Sequence, residues 1–232
     1  MRAAAALLVA LFALPARAAD CALALILALD ISSSVNAGEY AIQKDGLAAA
    51  LRHPAVREAL LSEPGSVQIL VFEWSGWQQQ DLIADWTRIG SEADIDALAG
   101  RVAGHKRFYS DFPTAIGRAL LYGEAQFGRL LAPCARQVID VSGDGVNNED
   151  LSARTLRSMD RLRRVTVNGL VIAGAFPDPV AHYRDEVIGG EGAFMMIARN
   201  GFDDYPGLLQ AKLLREISPP LFIGAAPAPA AR

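Results

Sequence analysis

Three short segments of this chain carry residues whose types and spacing could do chemistry. The first is Asp30-Ile31-Ser32-Ser33-Ser34, an acid and two hydroxyls spaced D-x-S-x-S. It follows eight unbroken apolar residues, 22–29, so its oxygens fall where a buried strand would leave a sheet. A set made only of oxygens suits a hard divalent cation such as Mg²⁺. It does not suit zinc, and no serine here stands beside an evident base. The plainer reading is a capping turn, with Ser34 or Asn36 starting the next helix. The second segment places Thr114 at a helix entrance, in Asp111-Phe112-Pro113-Thr114-Ala115-Ile116-Gly117. The third is Val141-Ser142-Gly143-Asp144-Gly145, at the end of another apolar run. Taken singly, Thr114 has the alternative reading of a local cap and Asp144 that of a turn aspartate between glycines.

These residues need elements to hold them, and the chain alternates apolar strands with amphipathic helices. Strands are predicted over 22–29, 66–74, 79–86, 136–142, 165–172 and 193–198. Asn168-Gly169 should interrupt the fifth of them, and the third, after the Ser75-Gly76 turn, should run antiparallel at an edge. Helices are predicted from Asn36 or Ala37 to Leu51, then over 54–61, 91–102, 113–131, 151–164, 178–187 and 203–217. Ser91 caps the third of these, and Pro113 suits a first turn. Such alternation predicts one α/β domain over 20–218. Its sheet should be doubly wound and mostly parallel, with one antiparallel edge strand and helices on both faces. Ligands of such sheets bind at the carboxyl ends of the strands, where strand order reverses. Asp30 is placed for that.

Composition agrees with a packed globule: 232 residues, 52% hydrophobic and 21% charged. The net charge of −4, with no block of Lys/Arg, argues against nucleic acid as a partner. Arg157, Arg161 and Arg164 fall at helical spacing and read as a solvated helix face.

Residues 1–19 read as a secretory signal peptide. Arg2 gives the positive start, 3–14 the apolar region, and Ala16-Arg17-Ala18 the small-x-small cleavage site. The apolar region is too short for a membrane span, so no transmembrane segment is expected in the mature chain. Asp20 before Cys21 argues against lipid attachment. The expected location is periplasmic or secreted, where disulfides persist. The tail, 219–232, is Pro/Ala-rich and should hold little fixed structure. The two cysteines are Cys21, nine residues before Asp30, and Cys134, ten before Asp144. If both acids end neighbouring parallel strands, both cysteines start them, and a Cys21–Cys134 bridge fits; two buried free thiols are the alternative.

Together, D-x-S-x-S, Thr114 and Ser-Gly-Asp-Gly resemble the metal-ion-dependent adhesion site (MIDAS) of von Willebrand factor A-type (vWA) domains. The Ser-Gly-Asp-Gly and Glu-Trp-Ser-Gly stretches also resemble a bacterial family of secreted A-type domains of unassigned function. The resemblance spans about 21–217. It implies that Ser32, Ser34 and Thr114 contact a Mg²⁺ or Mn²⁺ ion directly or through water. Asp30 and Asp144 would hold it mainly through coordinated waters. Neutral hydroxyl ligands leave the ion electrophilic, able to take an external carboxylate in an open position. Phe112 stands where many members carry Gly, and Ser142-Gly143-Asp144-Gly145 replaces the usual Thr-Asp-Gly, with Gly143 expected to supply a tight turn.

Other residues read as follows. Trp74 and Trp77 flank the Ser75-Gly76 turn and are candidate anchors for a partner, unless one of them fills the core. Asp140 shares strand parity with Ser142 but lies deeper, so a structural partner is expected, with Asn168 the candidate. Glu73 is placed similarly. His53, His105 and His182 match no metal-ligand spacing and read as surface residues. The function expected is a non-enzymatic, metal-dependent binding module for a protein ligand with an exposed Asp or Glu. The alternatives are an envelope protein with a merely stabilising ion and, with less support, a metal-dependent hydrolase.

Overall fold

The computed structural model describes residues 21–130, 133–149 and 151–218. The expected signal peptide and Pro/Ala-rich tail lie outside the described residues. Six strands make one sheet: β1 (Cys21–Asp30), β2 (Ser66–Trp74), β3 (Gln80–Ile89), β4 (Arg136–Gly143), β5 (Thr166–Ile172) and β6 (Met195–Ala198), in the order β3-β2-β1-β4-β5-β6. β3 runs antiparallel to β2, and every other pairing is parallel. The chain leaves β1 toward β2 on one side and returns to β4 on the other. That reversal of strand order opens between the two central strands at their carboxyl ends.

β1 shows why the apolar run is unbroken. Leu23, Leu25, Leu27 and Leu29 pack against one helical layer, while Ala24, Ile26 and Ala28 pack against the other. Each fully buried Leu or Ile contributes about 1.5–3 kcal/mol. The first layer holds α1 (Ala37–Arg52), α2 (Pro54–Ser62), α3 (Glu92–Gly104) and α7 (Tyr205–Ile217). The second holds α4 (Ile116–Gln126), α5 (Ala153–Ser158) and the start of α6 (Pro179–His182), which runs on as a π-helical turn over Tyr183–Val187.

Asn36 starts α1 with a full capping box. Its side chain accepts from the Gly38 and Glu39 amides, and the Glu39 carboxylate accepts from the Asn36 amide. This fixes where the D-x-S-x-S loop ends.

Three differences from expectation are larger than a shift of a few residues at an element's end. The helix predicted over 113–131 begins only at Ile116 and ends at Gln126, followed by a single 3₁₀ turn. Its entrance is pulled out of helical register because the Thr114 amide donates to the Asn148 side chain and the Ala115 amide to the Ser75 carbonyl. The helix predicted over 151–164 lasts six residues and stops at a turn where Asp160 takes φ 62°. Asn168-Gly169 does not interrupt β5. A side chain at Gly169 would collide with Ile188 and Tyr183, so the glycine admits a close neighbour instead of breaking the strand.

Candidate functional site

The oxygens singled out in the sequence meet at the carboxyl ends of β1 and β4. Leu29 pairs with Ser142, and Asp30 and Gly143 are the next residues along. Asp30 is completely buried, and its Oδ1 accepts from the Ser32 amide at 2.7 Å. Ser32 Oγ lies 3.1 Å from Ser34 Oγ, which donates to Asp144 Oδ1 at 2.7 Å. Thr114 is buried, with its Oγ1 against the α-carbon region of Gly145. The structure therefore gathers Asp30, Ser32, Ser34 and Asp144 into one bonded group and sets Thr114 beside the loop that follows Asp144.

The electrostatics follow from burial. Desolvation, and then the nearby Asp144 carboxylate, push the Asp30 carboxyl up to about 7 against the opposing hydrogen bonds from Ser32. Asp144 is raised too, chiefly by burial, although the Ser34 hydroxyl favours its charged form. Asp30 Oδ2 is buried and makes no hydrogen bond among the described residues, and neither does Tyr183 Oη. A Cβ on Gly143 would sit 2.7 Å from the first of these atoms and 2.6 Å from the second. Glycine is therefore needed at this position for close approach. The tight turn expected of it is not formed, since Gly143 is the last residue of β4 and does not have a positive φ. A buried, unpartnered carboxylate oxygen among hydroxyls and a second acid fits a hard cation with oxygen ligands.

Several supports carried no signal of their own in the sequence. Arg107 reaches into the D-x-S-x-S loop and donates to the carbonyls of Val35 at 2.8 Å, Ile31 at 2.7 Å and Ser32 at 3.2 Å. Gln43, buried on α1, donates to the Asp30 carbonyl at 3.0 Å. The loops are tied to one another by main-chain bonds: Ile31 to Trp74, Ser33 to Phe112, Ala115 to Ser75, and Asn148 to Thr114. Asn147 extends the lacing, accepting from the Gly117 amide and donating its own amide hydrogen to His182 Nε2. Two adjacent asparagines after Ser-Gly-Asp-Gly were the only sequence hint, because Asn side chains readily bond nearby backbone.

The profile of the family described as "Protein of unknown function (DUF1194)" matches residues 20–221. The chain belongs to that family. No curated protein matches the sequence.

Among solved structures, proximal thread matrix protein 1 from the mussel byssus, with a zinc-occupied MIDAS motif, is 18% identical at a TM-score of 0.58, over 85% of this chain and 46% of that one. A von Willebrand factor type A protein from Catenulispora acidiphila is 14% identical at a TM-score of 0.61, over 85% and 43%. The pilus adhesin SpaC from Lactobacillus rhamnosus GG is 13% identical at a TM-score of 0.61, over 85% and 31%. The chain spans less than half the length of each. What these likenesses show is the fold: this DUF1194 member has the mixed α/β architecture of a vWA domain.

Within that fold, several expectations need correction. Trp74 is 0% exposed and belongs to the core beside α4, so it cannot anchor a partner. Trp77 is 51% exposed, with Arg118 over its ring, and its amide is held by Glu149. Asp140 does not rely on Asn168. It pairs with Lys212 of α7 at 2.9 Å, and Asn168 donates to Glu216, which also accepts from Lys212. Burial raises both carboxyls of this cluster while Lys212 draws them down.

The arginines at helical spacing divide in use. Arg157 is half-buried and donates to the Glu186 and Val187 carbonyls, so it is a packing residue and not part of a solvated face. The histidines are not free surface groups either. His53 caps α2, His182 holds the Asn147 amide, and His105 lies 3.2 Å from Glu73 and 3.6 Å from Asp81. Burial lowers the His182 pKa, in keeping with a ring nitrogen that must accept.

Cys21 and Cys134 form a disulfide where β1 starts and the chain leads into β4, at the far ends of the two strands that carry the acids. Such a link is stable in an oxidising compartment. Among the described residues, no helix is long and apolar enough to cross a membrane.

Proposed function

We propose that this chain is a binding module that acts outside the cytoplasm, in the periplasm or after secretion. In this reading Asp30, Ser32, Ser34, Thr114 and Asp144 hold a divalent cation, Mg²⁺ or Mn²⁺. When bound, the cation would neutralise two acids that burial and mutual repulsion oppose, and would offer an open position to a carboxylate of a protein partner. The observation that carries the reading is Asp30 Oδ2, a buried carboxylate oxygen without a hydrogen-bond partner among the described residues, next to the Ser32–Ser34–Asp144 group.

The rest of the rim suits recognition. Ser33 and Ser34 are exposed, and the Ser33 amide donates to the carbonyl of Phe112, whose ring stacks edge-on against Tyr109, and Tyr109 in turn against Phe108. Phe108 is 76% exposed. An aromatic ledge beside a cation is a common form of interface anchor.

The test is retention from an envelope extract on immobilised protein, in Mg²⁺ and in chelator, with Asp30→Ala as the control. The expected result is one or more proteins retained only by the unaltered chain in Mg²⁺. Equal thermal shifts with Mg²⁺ in the parent and in Asp30→Ala would remove the cation from the proposal. Metal-dependent stabilisation without metal-dependent retention would leave the structural reading, an ion that only relieves carboxylate repulsion.

A further inference from the structure

We infer that Glu73, Asp81 and His105 form a second divalent-cation site, of transition-metal type and suited to zinc. It is separate from the oxygen-only group at Asp30 and does not depend on the function proposed for that group.

The placement starts with the sheet. Glu73 near the end of β2 and Asp81 near the start of β3 are directly opposite in the antiparallel register. Like charges in that position repel, and Glu73 is completely buried, so a positive charge between them would relieve the repulsion. His105 caps the end of α3 and brings its ring over the pair.

One ligand atom from each residue lies within 4.8 Å of the other two. Nε2 of His105 is 3.2 Å from Glu73 Oε1 and 3.6 Å from Asp81 Oδ2. Tetrahedral zinc with bonds of about 2.0–2.1 Å sets neighbouring ligand atoms about 3.3 Å apart, between those two values.

A second observation separates this arrangement from a plain ion pair. Nε2 is buried and makes no hydrogen bond among the described residues, although two carboxylate oxygens are within reach. An imidazolium paired with a carboxylate would aim its N–H at one oxygen; a ring nitrogen ligating a metal aims between its co-ligands.

Glu73 is also held as metal-binding carboxylates are. Tyr40 Oη donates to its Oε2 at 3.1 Å, and the Phe108 amide donates to its Oε1 at 3.3 Å. The Asp81 side chain is 42% exposed, so the site opens to solvent on that side and a fourth position is accessible. One nitrogen and two carboxylates form a zinc-type donor set, unlike the hydroxyl-and-carboxylate set at Asp30. The two sites would sort ions by ligand softness.

The experiment uses the purified full-length chain, stripped with chelator, and Co²⁺ as a spectroscopic stand-in for zinc. Asp30→Ala removes the first site and keeps the second. The expected result is that Asp30→Ala takes up one equivalent of Co²⁺ with visible d–d absorption, displaced by Zn²⁺ and not by millimolar Mg²⁺. Adding His105→Ala should abolish the absorption, and adding Asp81→Asn should weaken uptake by about 10-fold or more. Asp81 is half exposed, so that variant serves if His105→Ala fails to fold, and far-UV circular dichroism monitors both. The inference is overturned if Asp30→Ala takes up no Co²⁺, or if uptake is unchanged by His105→Ala and Asp81→Asn.

Discussion

Replacing Asp30 with Asn should stabilise the metal-free protein at neutral pH, although it removes a residue of the candidate site. Asn keeps an oxygen for the Ser32 amide, which donates to Asp30 Oδ1 at 2.7 Å, and removes the charge. The unfolded chain releases the Asp30 proton near 3.8, while the folded chain holds it to about 7. Between those values the folded state binds more protons than the unfolded state, so stability falls as pH rises. The slope is about 1.4 kcal/mol per pH unit, and the whole shift is worth up to about 4 kcal/mol. The substituted amide does not titrate, so the variant escapes this loss. Asp140, Asp144 and Glu216 are also raised, but they are present in both proteins and largely cancel in the difference. Urea unfolding in chelator at pH 5 and pH 8 should show the advantage of Asp30→Asn growing by roughly 2–3 kcal/mol, a midpoint change of about 1 M urea. Added Mg²⁺ should then raise the parent midpoint more at pH 8 than at pH 5, because the ion competes with the proton, and leave Asp30→Asn unmoved. Parallel pH profiles of the two metal-free proteins would refute the reasoning, since Asp30 would then carry no buried-charge cost.

Arg107→Ala removes the bonds to the Ile31, Ser32 and Val35 carbonyls; Mg²⁺ affinity by calorimetry should fall roughly 10–100-fold, the usual effect of losing an outer support. Lys212→Met leaves Asp140 and Glu216 buried without their cation and should cost about 3–5 kcal/mol in urea unfolding at pH 8. The cost should shrink at pH 5, because both carboxyls are already raised by burial and take up protons as pH falls. Reduction of Cys21–Cys134 should cost about 2–4 kcal/mol and leave Mg²⁺ affinity unchanged, because the link lies at the opposite ends of the strands from the acids.

The frame of this fold could be read from periodicity because the driving forces are local. The unbroken apolar run before Asp30, the strand ending at Trp74, the caps at Asn36 and Ser91, and the antiparallel edge strand all follow from residue pattern. The disulfide was legible for a related reason: two acids ending adjacent parallel strands place two cysteines at matched depth. What the pattern could not show was side chains acting at long sequence distance. Arg107 lies 76 residues from the Ile31 carbonyl it holds, and no local rule marks it. Lys212 carries no mark in the local pattern, and only the packing of α7 on the sheet brings it to Asp140. The helix predicted from Pro113 starts three residues later because the bonds that unwind its first turn come from Asn148 and Ser75, on other loops. Trp74 could not be assigned to core or surface until its strand parity was fixed against α4, and His105 looked solitary until the α3 end met β2 and β3.

The main-chain ties among the loops at the carboxyl edge have an entropic consequence. Ser33, Ala115 and Asn148 are loop residues, yet each spends its amide on a carbonyl of a different loop, so none of these segments can move alone. Ordering a free loop on binding costs roughly 1–2 kcal/mol per residue of backbone, and here folding has already met that cost. A partner would meet a fixed surface with the shape decided in advance, and selectivity would rest on fit instead of adaptation. In hydrogen exchange, the amides of Ser33, Ala115 and Asn148 should open with the strands they follow and not with the surface turns they resemble.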